Sequence, residues 1–185
     1  MFYRYSASAR SIVFRARDVS QSEGRALIEP GDILFALTEL HPTLFDSLSD
    51  SSIDLNEVRD ELAQQKTQLP SSAQAPKSRL TKESKQVLIL ATEQARSCWK
   101  QWEAPRRKRQ GVVPEDVEYW EARLKKPLKN PGGLLLRRTW EVDERHLLLG
   151  LLERPESSGV AALTKQGVTL EVARRRLCAT NCRSA

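Results

Sequence analysis

The sequence predicts an all-α protein built as a tandem pseudo-twofold repeat of two four-helix units, with an insertion in the second repeat. Three observations carry this. Apolar residues recur at helical spacing in most segments, and no strand-like alternation of convincing length appears. The segment from Arg4 to Ala16 is echoed by Arg79 to Ala91, an offset of 75 residues. A second pair of matching segments, Ile28 to Leu37 and Val142 to Leu151, is offset by 114 residues, so 39 residues separate the two spacings. Internal periodicity of this kind decides architecture before any motif is considered.

In the first copy, Ser6 caps a helix whose buried face is Ala9, Ile12, Val13, Ala16 and Val19, with Tyr5 as a hydrophobic staple. The matching helix of the second copy is capped by Thr81, stapled by Leu80, and carries Val87, Leu88, Ala91 and Ala95. The next helices are the apolar runs after Ile28 and Val142. Each copy then closes with two short helices. Leu44, Phe45 and Leu48 lead to a last helix capped by Asp54, while Val160, Ala161 and Leu163 lead to one capped by Thr169. The first repeat occupies residues 1–63 and the second 79–177, together forming one compact domain, because a single unit of this size offers little core. Residues 64–78 are polar with two Pro and read as a linker, and 178–185 as a tail.

Charge locates the insertion independently. The 30 Lys and Arg exceed the 24 Asp and Glu by six, and residues 100–139, with eleven basic and five acidic side chains, hold that whole excess. All four Trp lie in or beside this stretch. Arg106, Arg107, Lys108 and Arg109 could track phosphates while Trp102 and Trp120 stack on bases, which makes a nucleic-acid or polyanion-binding module the alternative function. The same four charges also read as a solvated loop or an acidic-partner contact. Residues 114–124 read as a helix whose Val117, Trp120 and Leu124 pack on the repeat body.

Several function classes lack support. The longest apolar runs fall far short of the roughly 20 residues that cross a bilayer, so no membrane partner is expected. The start of the chain has no apolar leader region, which makes a cytoplasmic location the default. Three Cys, with Cys178 and Cys182 four apart, do not form a secreted disulfide framework and read as reduced thiols. His146 and His41 sit in unrelated contexts without a metal-ligand motif, so His146 reads as a first-turn helix residue with a structural hydrogen bond. No nucleophile motif is present, and neither catalytic residue, cofactor nor metal is expected.

The second copy resembles the Clp amino-terminal domain family, the tandem helical repeat that precedes the ATPase rings of Clp and Hsp100 unfoldases. The residues that carry the resemblance are Leu80-Thr81, His146 to Leu152, Gly159 to Leu163 and Gly167 to Leu170; the first copy has Asp32 where the second has His146. The resemblance implies a pseudo-twofold all-α domain that binds substrates or adaptors, acting without catalysis of its own. The sequence contains no G-x-x-x-x-G-K-[ST] phosphate loop, which points to a stand-alone form lacking an ATPase module. The implied partners are a Clp-type unfoldase or protease, or its client proteins, with the chain acting as adaptor or accessory. The implied groove lies where the repeats meet, around Tyr5, Ser6, Leu80 and Thr81. In some relatives an acidic residue before the His of each repeat helps bind phosphorylated arginine. Gly31 and Arg145 occupy those positions here, with Glu29, Asp32 and Glu144 within a turn.

Overall fold

In the computed structural model, residues 4–48, 53–66, 79–99, 140–157 and 160–180 are described. Eight helices lie among them: α1 (Ala7–Ser22), α2 (Pro30–Leu40), α3 (Thr43–Asp46), α4 (Leu55–Lys66), α5 (Lys82–Cys98), α6 (Glu144–Leu152), α7 (Val160–Lys165) and α8 (Leu170–Thr180). The chain is all-α in class, as its periodicity predicts. The expected insertion 100–139, with Trp102, Trp120 and the Arg106, Arg107, Lys108, Arg109 run, lies outside the described residues.

Helix starts fall where hydroxyl and acidic side chains can accept the first free N–H groups. Ser6 accepts from Ala9 N at 3.0 Å, and Thr81 from Ser84 N at 3.0 Å. Asp54 accepts from Asn56 N and Glu57 N ahead of α4, and Thr169 from Val172 N ahead of α8. Two boundaries differ from the sequence expectation. Helix α4 continues through Lys66 and so takes up the first three residues of the expected linker, whose Gln and Lys are good helix formers. Helix α8 runs to Thr180, past the expected start of the tail.

The two most apolar helices, α2 and α6, touch one another at the centre; α1 packs on α2 and α5 on α6. Every residue of α6 from His146 to Leu152 is buried. Helices α4, α7 and α8 close the outside, with α4 against α2 and α7, and α8 against α6. One apolar core results, drawing Ile12, Ile33, Leu37 and Phe45 from the first half and Leu88, Leu147, Leu151 and Leu163 from the second. The approach of α5 to α6 depends on Gly150. A Cβ there would meet the Val87 carbonyl oxygen at 2.6 Å and Ala91 N at 2.7 Å.

Two short parallel contacts, invisible in the sequence, cross between the halves. Strand β1 (Leu27–Ile28) pairs with β2 (Arg79–Leu80), and Tyr5 bridges to Val142. Two residues per strand cannot display a period of two, which is why hydrophobic patterning misses them. The bridging pairs are Tyr5 with Val142 and Leu80 with Ile28, and the offsets of 75 and 114 convert one pair into the other. The segment entering the first helix of each half is thus bonded to the segment entering the second helix of the other.

The thiols are a correction. Cys98, half-buried at the end of α5, is disulfide-bonded and not reduced. Spacing along a chain says nothing about which distant cysteine folding brings close, and here two others exist.

Candidate functional site

The cross-strand contacts gather four helix starts into two places. Val142 N donates to Arg4 O at 2.8 Å and Ser6 N to Val142 O at 2.9 Å, which sets the start of α1 beside that of α6. Arg79 N donates to Ala26 O at 2.8 Å and Thr81 N to Ile28 O at 3.1 Å, which sets the start of α5 beside that of α2. Helix starts present free N–H groups and a partial positive charge, so such places favour acidic or hydrogen-bond-accepting groups.

The four residues expected to line a groove divide into two kinds. Tyr5 is a core residue, 4% exposed, whose hydroxyl donates to the Leu88 carbonyl at 2.9 Å and lies 3.3 Å from Thr92 Oγ1; burial raises its pKa, offset in part by the Thr92 contact. Tyr5 thus ties the entry of α1 to the middle of α5 from within the core. Ser6, Leu80 and Thr81 are half-buried at the surface. The two hydroxyls serve as helix caps, and Thr81 also donates to Ser84 Oγ at 3.0 Å.

The family-motif positions are largely engaged by their own helices. On α2, Glu29 and Asp32 form a reciprocal capping box in which Asp32 Oδ2 accepts from Glu29 N at 2.8 Å. Asp32 is fully buried and accepts two further bonds from Arg25, Nη1 to Oδ2 at 3.0 Å and Nη2 to Oδ1, and Arg25 also pairs with Glu23. Burial works against the Arg25 charge, but Asp32 and Glu23 outweigh it and raise its pKa. On α6, Asp143 accepts from Arg145 N at 3.0 Å and His146 N at 3.3 Å, and Asp143 N donates to His146 Nδ1 at 3.2 Å. His146 thus stands at the first-turn position that Asp32 holds in the first half, and its Nδ1 also lies 2.7 Å from Asp143 Oδ1. Arg145 folds back so that its Nε donates to Asp143 Oδ2 at 2.9 Å. Burial pushes the Asp143 carboxyl up, yet His146 and Arg145 together hold it well below the usual carboxylate range.

Glu144 belongs to a cluster that sequence reasoning missed. Ser8 Oγ donates to Glu144 Oε2 at 2.8 Å and lies 2.8 Å from His41 Nε2. A hydroxyl has one proton, and the carboxylate only accepts it, so the second contact is an N–H of His41 donating to Ser8 Oγ. In this arrangement His41 has no lone pair facing Ser8 and does not act as its base. The cluster ties α1, the end of α2 and the start of α6 together. Spacing gives no warning of it, since Ser8 and Glu144 stand 136 positions apart. Among the described residues no group of three or more His, Cys, Asp or Glu is arranged to hold a metal ion, and no helix is long and apolar enough to cross a membrane.

Residues 4–102 match the family model described as the Clp repeat (R) N-terminal domain. The chain belongs to this family. The match spans α1 through α5 and so takes in both strands of the β1–β2 contact but only Tyr5 of the Tyr5–Val142 bridge. Solved structures similar to this Clp repeat chain include one from a malarial protein secretion system, 17% identical with a TM-score of 0.62, covering 96% of this chain and 94% of that one. The Hsp104 N-terminal domain from Candida albicans is 15% identical with a TM-score of 0.58, covering 93% and 87%. The N-terminal domain of the caseinolytic protease associated chaperone ClpD from Arabidopsis thaliana is 12% identical with a TM-score of 0.55, covering 99% and 100%. At these identities the likeness is one of fold. No curated protein sequence matches the chain.

Proposed function

We propose that the chain is a non-catalytic protein-interaction module, an adaptor or accessory that binds a Clp-type unfoldase or protease, or its client proteins, in the cytoplasm. The observation that carries this reading is membership in the Clp repeat N-terminal domain family. The contact surface takes in both places where helix starts meet: Ser6 with Glu144 at one, beside the buried Tyr5, and Leu80 and Thr81 with Glu29 at the other. Asp32, Arg145 and His146 act from within, holding the first turns of α2 and α6 in place. Because Gly31 and Arg145 stand where some relatives carry acidic residues, and Arg145 is paired with Asp143, recognition here does not run through an acidic pair gripping a guanidinium. An acidic partner surface fits residues 100–139 better, since they carry the chain's entire net charge.

Affinity capture from lysate of its source cells, using the full chain, a Leu80→Asp variant and a chain lacking residues 100–139, tests this. Recovery of a Clp-type ATPase or its protease with the full chain and its loss with Leu80→Asp is expected. Recovery of neither unfoldase, protease nor client with any version would overturn the reading. The polyanion alternative rests on the same charge excess. It requires a mobility shift of single-stranded nucleic acid whose affinity falls steeply with salt, because phosphate contacts release counterions.

A further inference from the structure

Helix α1 turns one face wholly to solvent. Ala7, Arg10, Ser11, Phe14, Arg17, Asp18 and Gln21 are all exposed and share this side, and Phe14, 55% exposed, is the most exposed large hydrophobic residue among the described residues. Leaving an aromatic ring in water at the middle of a 16-residue helix forgoes the largest single gain in burial the helix offers. Arg17 lies over it, with its guanidinium carbon 5.5 Å from the ring centroid, and also meets Asp18 at 3.4 Å.

The order of charges on this face has a property that its sequence alone does not advertise. If a second α1 lies antiparallel across Phe14, each residue meets the one equally far on the other side of that ring. Arg10 meets Asp18, Ser11 meets Arg17, Ala7 meets Gln21, and Phe14 meets itself. Opposite charges coincide and no like charges do. Arg10 and Asp18 each stand about 6 Å along the axis from Phe14 at 1.5 Å per residue, so Arg10 of one copy stays within reach of Asp18 of the other even where the helices splay at the usual crossing angle. Helix α5 supplies the control. Its Ile89, 44% exposed, is the offset-75 counterpart of Phe14, and Lys85 and Glu93 repeat the same order of charges. Pairing α5 with itself, however, would set Lys82 against Arg96, a like-charge contact.

We infer that the exposed face of α1 is a homodimer interface, occupied by α1 of a second copy in an antiparallel, isologous contact centred on Phe14. A twofold contact of this kind demands a self-complementary surface, and α1 has one. The buried area is small for a permanent dimer, so the association is weak and concentration-dependent.

Sedimentation equilibrium of the full chain over a wide range of loading concentrations tests it. The full chain is expected to show a monomer–dimer equilibrium that high salt weakens. Phe14→Glu, a change at an exposed site to a good helix former, should abolish it with the circular dichroism spectrum unchanged. Arg10→Glu should weaken dimerisation about tenfold or more, and the double change Arg10→Glu with Asp18→Arg should bring it back to within about threefold of the parent, because complementarity is restored. A chain that stays monomeric throughout overturns the proposal. So does a dimer indifferent to Phe14→Glu, or one lost on Ile89→Glu, which would place the contact on α5.

Discussion

Gly150 sits where α5 and α6 come closest, and the atoms that a Cβ would strike are backbone, which cannot rotate away. Gly150→Ala should therefore destabilise the fold by about 1–3 kcal/mol despite the better helix propensity of Ala, read as a lower urea midpoint at unchanged slope. Tyr5→Phe tests a milder case. The Leu88 carbonyl keeps its bond from Thr92 at 2.9 Å, so loss of the tyrosine hydroxyl should cost about 1 kcal/mol and not the full penalty of an orphaned acceptor. Asp143 makes a pH-dependent contribution. Its folded pKa lies below the ordinary 3.8, so on acidification the unfolded chain takes up the proton first. The stability that its charge supplies is complete above about pH 5 and is lost as pH falls through and below 3.8. The gap in unfolding free energy between the parent and Asp143→Asn should be flat at neutral pH and shrink as the solution is acidified.

Helix caps are legible in the chain because they join residues two or three apart. Ser6, Thr81, Asp54 and Thr169 all accept the bonds that their positions suggest, and Ser6→Ala or Thr81→Ala should each cost about 1 kcal/mol in thermal or chemical denaturation. The ends of helices were less legible. Nothing in Gln64, Gln65 and Lys66 stops α4, and the Pro that reads as a break comes only at Pro70. At the end of α5, the Cys98 disulfide adds a covalent tie that composition argues against. Reduction should lower the melting temperature by an amount equivalent to about 2–4 kcal/mol, and Cys98→Ser should show the same melting point with and without reductant.

The halves are bonded crosswise, so neither has its full set of partners without the other. The start of α1 gives its backbone bonds to Val142, and β1 needs Arg79 and Leu80. Gln166 adds a further tie between the halves, accepting from Asp54 N at 2.8 Å and donating back to Asp54 O at 3.2 Å. Deleting residues 1–6 should therefore lower the stability of the whole chain in one cooperative transition, seen as coincident loss of signals from α1 and α6 in amide-resolved spectra. Separate melting of α1 alone would contradict this coupling.

Helix periodicity, caps and the two offsets could be read from the chain because each depends on neighbours within a turn or on simple repetition. They identify the all-α class, the helix starts and the family. The pairing of Tyr5 with Val142, the Ser8, His41 and Glu144 cluster, and the burial of Asp32 against Arg25 were decided by packing. A two-residue strand has no period, and a hydrogen bond between residues 136 positions apart leaves no mark on either one's neighbours. The function of a polar side chain followed the same division. Asp32, Glu144 and His146 look alike as motif positions, and only their surroundings separate a buried cap from a carboxylate at the surface.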